Sequence, residues 1–245
     1  MRISRLYIDT PLAANQTISI NGEPFNYLAN VLRFKAGATL SVFNGQGGEF
    51  YATISKLGKR EAQLDIGDFE NNTSESPLEI TLVQGISRGE RMDFTLQKAT
   101  ELGVTRIIPL FTERCTVNLK GERLEKRIKH WQGTVRSACE QSGRNSIPRI
   151  ETAQYFDDYI QPNNQPEHNC LLLDPESLQS LTSITVAPTA ITLLVGPEGG
   201  FSSRERELAY ANGYHGVQLG PRILRTETAA ITAISAMQVL WGDLR

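Results

Sequence analysis

The sequence predicts an α/β protein in two parts, a small all-β domain followed by an α/β domain on a largely parallel sheet. Three observations carry this. Residues 1 to about 70 break into short β-rich segments separated by Gly and Asn turns. From Leu78 onward the pattern alternates strand, helix, strand, as in a parallel sheet covered by helices. Two later stretches, ITLLVGPEGG (191–200) and LGPRILRTETAA (219–230), each run from an apolar strand through a glycine turn into a helix, which is how α/β proteins present small-molecule sites.

Composition narrows the class. A chain of 245 residues can bury a sizeable core. Its apolar runs are only strand-length and lack signal-peptide flanks, so a cytoplasmic protein with no membrane span is expected. Cys115, Cys139 and Cys170 are widely spaced and odd in number, which argues against a disulfide scaffold. With His130, His168 and His215 they form no metal-ligand spacing, and no metal is expected. The net charge of −2 conceals a local imbalance. Residues 84–144 hold twelve Lys or Arg against seven Asp or Glu, a surplus compatible with either a polyanion-binding face or solvated helix surfaces.

In chain order, RLYID (5–9), TISI (17–20), ATLSVFN (38–44), EFYATISKL (49–57) and EAQLDIGD (61–68) read as strands of a small barrel. FNYLANVLRF (25–34) reads as a helix whose Leu28, Val31 and Leu32 form its apolar stripe. NNTSESP (71–77) is the linker, which places the β domain at residues 1–72 and the α/β domain at 73–245. The second part opens with a strand at 78–84, a helix at 88–102 and a strand at 104–110. A long basic helix follows at about 121–142, ending in EQSGR. Glu140 and Gln141 there fit a pocket, a subunit contact or simple capping. CLLLDPE (170–176) puts Asp174 at a strand C-terminus, where it takes a ligand hydroxyl or caps the turn. After the GPEGG turn, Ser202 and Glu205 have capping-box spacing. Thr226 is placed to cap the final helix, 227–240, whose small and apolar residues suit a core position or a dimer interface.

The glycine turn is neither GxGxxG nor a phosphate loop, and no nucleophile elbow, HExxH or kinase set is present. What remains is a glycine-lined pocket with nearby arginines. That suits a reaction in which a bound cofactor supplies the reactive group and the protein supplies position and electrostatics.

Four stretches carry a specific resemblance: QGISRGERMDFTLQKATELGVTRIIPLFTERC (84–115), HWQGTVRSACEQSGR (130–144), LLVGPEGGFSSRE (193–205) and LGPRILRTETAAITA (219–233). In this order they resemble the RsmE family of small-subunit (16S) ribosomal RNA methyltransferases, which make N3-methyluridine and belong to the SPOUT superfamily. The resemblance implies an N-terminal PUA-like β-barrel that binds RNA, a C-terminal trefoil-knotted SPOUT methyltransferase domain, S-adenosyl-L-methionine as cofactor, and a homodimer acting on ribosomal RNA or the assembled 30S subunit. In place of the histidine usual before the family's barrel helix, this chain has Asn26.

Carried onto this chain, the resemblance assigns cofactor binding to Leu172, Gly196, Glu198, Gly199, Leu219, Ile223, Leu224 and Thr226. The transfer requires in-line placement of uridine N3, a route for its imide proton, and stabilisation of charge on O2 and O4. Arg225 and then Arg222 are the candidates for that stabilisation, and Glu198, the acid nearest the pocket in sequence, is the candidate base for the N3 proton, or else orients the glycine turn or pairs with Arg225. Arg2, Arg5, Arg33, Lys126 and Arg136 are the candidate phosphate contacts. Two other functions remain compatible with the sequence: methylation of a ribose 2′-OH or another RNA base, and a non-catalytic ribosome-binding assembly protein.

Overall fold

The computed structural model describes residues 3–161, 169–184 and 187–244. Backbone packing divides the chain into Met1–Glu75 with Cys139–Ile147 as one compact unit, and Ser76–Ala138 with Pro148–Arg245 as the other. Residues 139–147, which the sequence reading leaves in its second domain, thus pack with the first.

The first unit is a five-stranded sheet: β1 (Arg5–Tyr7), β2 (Thr17–Asn21), β3 (Thr39–Phe43), β4 (Glu49–Leu57) and β5 (Glu61–Glu70). Its order is β1-β3-β4-β5-β2, with β1 parallel to β3 and the other pairs antiparallel. Side chains alternate across these strands, so Ala52 and Ile54 of β4 and Ala62, Leu64 and Ile66 of β5 turn inward. They meet Leu6, Ile20, Leu28 and Leu40 in one core. The helical segment departs from expectation. α1 (Gly22–Asn26) starts earlier, with Pro24 tolerated near its N-terminus, and passes into a π-type turn over Tyr27–Val31. The wider turn, closed by Leu32 N–H donating to Tyr27 O at 2.9 Å, rotates Val31 out of the stripe and leaves it 65% exposed.

The second unit is a parallel sheet of β6 (Glu79–Gly85), β7 (Arg106–Phe111), β8 (Arg149–Ile150), β9 (Gln154–Tyr155), β10 (Asn169–Leu173), β11 (Ala190–Val195) and β12 (His215–Val217). The order is β12-β10-β11-β6-β7-β8, with β9 also on β7. Pro109 of β7 lies between the β8 and β9 registers, where its missing N–H costs least. The helices are α2 (Glu90–Glu101), α3 (Glu122–Ser142), α4 (Phe156–Tyr159), α5 (Ser203–Ala211) and α6 (Thr226–Trp241). Every residue of the interior strand β11 is buried, as a strand covered on both faces requires. α6 packs on α2 and β11 through Ala230, Ala233, Ile234 and Met237.

Because all these strands run parallel, their C-terminal ends line one edge of the sheet. The loops that leave that edge build the site.

Candidate active site

A cleft of about 450 Å³ opens beyond β10, β11 and β12. It is lined by residues 173–176, 195–201, 217–220 and 222–224, with Arg114, Ser203, Arg206, Thr226 and Ala229. The Gly196–Gly200 turn closes by Gly200 N–H donating to Pro197 O at 2.9 Å, and Gly200 has φ +65°, a conformation side chains disfavour. Beneath it the end of β6 comes very close: a Cβ on Gly85 would lie 2.5 Å from Pro197.

The two sequence stretches are joined by hydrogen bonds. Thr226 Oγ1 donates to Gly196 O at 2.6 Å, and the fully buried Gln84 donates from Nε2 to Thr226 Oγ1 at 3.0 Å. The same Gln84 amide donates to Gly85 O at 3.0 Å. Thr226 therefore does not cap its helix. Arg225 is the N-cap residue, with no side-chain cap, while the Thr226 hydroxyl serves the glycine turn. The expected Ser202–Glu205 capping box is formed, and the buried Glu205 also accepts from Glu113 N–H at 2.8 Å.

Glu198 accepts from Arg88 N–H at 2.9 Å and from Arg91 Nη1 at 3.0 Å. Burial pushes its carboxyl upward, but these donors and its own N–H outweigh burial and hold it below the usual value. A carboxylate so satisfied is a weak proton acceptor and a good fastener for the turn. Asp174, 4% exposed, accepts from Tyr210 OH at 2.5 Å, Glu176 N–H at 2.9 Å and Arg206 Nη1 at 3.3 Å. Burial again raises its pKa and the donors, Tyr210 first, more than reverse the effect. Arg114 donates to Gly199 O at 3.0 Å, bracing the turn from the loop after β7.

Of the residues singled out in the sequence, Gly196, Glu198, Gly199, Leu219, Arg222, Ile223, Leu224 and Thr226 all line the cleft. Leu172 does not line it. Its side chain is fully buried in the core beside Val83 and Leu194, and the alternation of β10 gives the cleft to Leu173. Arg225 is exposed at the start of α6, outside the cleft lining. Among the candidate phosphate contacts, Arg5 is turned into the fold. It is 8% exposed, donates to Glu49 at 2.7 Å and Cys139 O at 2.8 Å, bonds Asn145 and Arg144 O, and stacks over Phe43 at 4.4 Å. Its donors are spent inside the first unit. Arg33 is exposed with φ +54°, Lys126 is exposed and 3.8 Å from Glu122, and Arg136 is half-buried on α3. Arg2 lies outside the described residues. Sequence reasoning missed Gln84, Arg88, Arg91 and Arg114, whose roles depend on contacts far along the chain. Only their position beside strand ends marked them.

The cleft lining carries three acids, Asp174, Glu176 and Glu198, and three arginines, Arg114, Arg206 and Arg222. Such a balance disfavours a polyphosphate and suits a ligand bearing both signs. Fold and cleft together define an α/β domain that holds a small polar organic molecule through glycine-loop backbone. Residues 74–238 match the RNA methyltransferase domain family, and residues 20–67 match the RNA methyltransferase PUA domain family. The chain is 38% identical over 243 residues to ribosomal RNA small subunit methyltransferase E of Buchnera aphidicola subsp. Schizaphis graminum, covering 99% of this chain and 98% of that protein. The crystal structure of the Neisseria gonorrhoeae ribosomal RNA small subunit methyltransferase E bound to S-adenosyl methionine is 42% identical, with TM-score 0.95 and 100% of both chains covered. A Legionella pneumophila chain solved with SAM is 40% identical, with TM-score 0.96 and 100% of both chains covered. The chain belongs to the ribosomal RNA small subunit methyltransferase E family.

Among the described residues, no helix is long and apolar enough to cross a membrane, and no group of three or more His, Cys, Asp or Glu could hold a metal ion.

Proposed function

We propose that this chain transfers a methyl group from S-adenosyl-L-methionine (SAM) to N3 of a uridine in small-subunit (16S) ribosomal RNA. The observation that carries the reading is the clasp itself, Gly196–Gly200 tied through Thr226 and Gln84 to the 219–226 loop around a charge-balanced cleft. SAM fits that donor set. Backbone of the Gly196–Gly200 turn and of Leu219, Ile223 and Leu224 offers amide and carbonyl groups, while Glu176 and Glu198 offer negative charge to a cationic ligand. When bound, SAM supplies an electrophilic methyl group on a sulfonium.

The residues of the chain do the rest. Arg222 lines the cleft, and Arg225 sits one residue before the Thr226 anchor. From there their guanidinium forks serve the uracil oxygens while the N3 proton leaves to solvent water. Glu198, held ionised by Arg88 and Arg91, fixes the turn rather than taking that proton.

The finer architecture we propose is a trefoil-knotted SPOUT domain with a PUA-like barrel. Supporting the knot, the chain leaves the edge strand β12, returns to the sheet interior, is pinned at Thr226 below the β11 turn, and packs α6 on α2. A homodimer of the cytoplasm is the working form. Val239, Leu240 and Leu244, 55%, 39% and 47% exposed at the end of the chain, are apolar surface for a second copy to cover. Arg33, Lys126 and Arg136 serve the RNA backbone.

Mass spectrometry of small-subunit ribosomal RNA nucleosides from cells lacking the protein tests the reading. N3-methyluridine should vanish and return when purified protein and SAM are added to the RNA or the 30S subunit. Loss of a 2′-O-methyl nucleoside with N3-methyluridine intact would overturn it.

A further inference from the structure

A second pocket of about 480 Å³ lies along the same sheet edge, beyond the C-terminal ends of β7 and β9. Its aromatic wall is Tyr155, which is 56% exposed and rests against Phe111 with ring centroids 5.3 Å apart and planes tilted by 33°. One face of the tyrosine ring is thus supported by protein, leaving the ring a broad accessible surface. The opposite wall is the loop Thr112–Lys120 and the start of α5.

The electrostatics exclude a phosphate. The lining has three acids, Glu113, Asp157 and Glu205, against Lys120 and Arg204. Arg204 is spent: Nη1 donates to Glu113 at 2.9 Å and Nη2 to both Asp157 oxygens at 2.9 Å. A phosphate would face two carboxylates with one lysine for relief. An uncharged planar heterocycle bearing amino groups meets the opposite situation, a ring to stack on and carboxylate edges to accept its N–H bonds. Thr112, a lining residue 9% exposed, buries its hydroxyl without a hydrogen-bond partner among the described residues.

Position ties this pocket to the cleft. Glu113 and Cys115 line the second pocket, while Arg114 between them lines the cleft and donates to Gly199 O at 3.0 Å. Glu205 lines the second pocket and Arg206, the next residue, the cleft. The two cavities are separated by single residues of the same two segments.

We propose that this pocket holds an unpaired, amino-bearing base of the RNA strand near the nucleotide that is methylated, stacked on Tyr155 with Glu113 and Asp157 accepting from its amino group. The proposal rests on the RNA methyltransferase reading above and deepens it by naming a place where bases, rather than phosphates, are held. Tyr155 is here a binding residue and takes no part in the methyl transfer.

The test uses the full chain and a single-stranded octamer of adenosines with 2-aminopurine at its centre, followed by fluorescence quenching and anisotropy. Wild-type protein should quench the probe. Tyr155→Ala should weaken binding by about tenfold, the scale of one lost base–aromatic stack, and abolish the quench, while Tyr155→Phe keeps both. SAM binding by calorimetry and the thermal midpoint should be unchanged in Tyr155→Ala, which separates stacking from folding. An octamer of uridines should bind more weakly than the adenosine octamer. Wild-type affinity in Tyr155→Ala overturns the proposal, as does a change in its sedimentation coefficient, which would assign the aromatic face to a second copy of the chain. Protein that methylates ribosomal RNA but is indifferent to Tyr155 defeats the pocket alone. Protein that transfers no methyl group defeats the functional reading, whatever the octamer titration gives.

Discussion

Thr226 Oγ1 lies 2.6 Å from Gly196 O, a hydroxyl at the start of the last helix closing on a carbonyl at the end of β11. The contact makes one site of two loops separated by the whole of α5 and β12. Its other support is Gln84, which donates to Thr226 at 3.0 Å but reaches Gly196 O only at 3.4 Å. Replacing Thr226 by Val keeps the shape, removes the hydroxyl and leaves a buried Gln84 N–H without its acceptor. We expect a loss of roughly 1–3 kcal/mol in urea unfolding, together with weaker SAM binding by calorimetry. Thr226→Ser should recover both. Equal SAM affinity in the valine variant would show that the loops hold their places without the clasp.

Glycines around the turn should separate into two kinds. At Gly85 an added Cβ would meet Pro197 Cδ and N at 2.5 Å, ring and backbone that cannot step aside cheaply. At Gly200 the space is open and only φ +65° opposes a side chain. Gly200→Ala should therefore cost roughly 1–2 kcal/mol and leave SAM binding measurable. Gly85→Ala should displace the turn and abolish binding. Comparable thermal midpoints and SAM affinities in the two variants would contradict the steric argument.

The contrast also explains what the sequence discloses. Strands β4, β6 and β11 and the Ser202–Glu205 cap are written in local patterns, because alternation and capping depend on neighbours a few residues away. The glycine turn and LGPRILRT likewise announce a ligand site through composition. Three features could not be read that way. A buried Arg5 has the same letter as a phosphate-binding one, and only Glu49, Asn145 and Phe43 distinguish them. Thr226 has good capping chemistry and is diverted by a partner thirty residues earlier. The π-type turn at Tyr27–Val31 shifts a helical stripe that a regular period would place on Val31.

Asp174 and Tyr210 give the site a pH signature. The Asp174 pKa is held below its ordinary value of 3.8 in the fold, because the donors from Tyr210, Glu176 and Arg206 outweigh burial. As pH falls the unfolded chain takes up that proton first. The stabilisation is therefore present above the ordinary value and lost as pH drops through the lower folded one. Asp174→Asn should lower the urea midpoint at neutral pH and flatten its decline toward pH about 3. On the alkaline side, burial and then the bond to Asp174 push Tyr210 up to about 12. Ultraviolet titration should show that late phenol, and Asp174→Asn should move it down. An unchanged titration would place the cause of the shift elsewhere.

Cations in the first unit and on α3 should fail differently. Arg5→Ala strips the charged partner from Glu49, whose side chain is only 12% exposed and keeps the Asn72 amide, and leaves the Cys139 carbonyl with Gly143 N–H alone. A loss of roughly 3–5 kcal/mol in unfolding is expected, the scale of a broken buried pair. Lys126→Glu, at a side chain 81% exposed, should leave stability within about 0.5 kcal/mol. It should instead lower RNA affinity and flatten its salt dependence, since fewer counterions are released. Filter binding across a salt series separates the outcomes. An unaltered slope would make Lys126 a solvated surface residue.

Arg225 is the sharpest chemical test. It is exposed at the N-cap of α6, immediately before the residue that anchors the clasp, and among the described residues its side chain meets no partner. A guanidinium kept unpaired beside a ligand loop is free for a charge that exists only during reaction. If it stabilises negative charge on the uracil oxygens, Arg225→Ala should cut single-turnover methyl transfer by about 10²–10³-fold while SAM affinity changes by less than about twofold. Arg225→Lys should recover little, because one ammonium cannot reproduce the fork. Arg222 lines the cleft itself, so Arg222→Ala should weaken SAM binding as well as transfer. Parallel losses of SAM affinity and rate in Arg225→Ala would reassign that arginine to holding the cofactor, and leave Arg222 as the group that answers the charge on uracil.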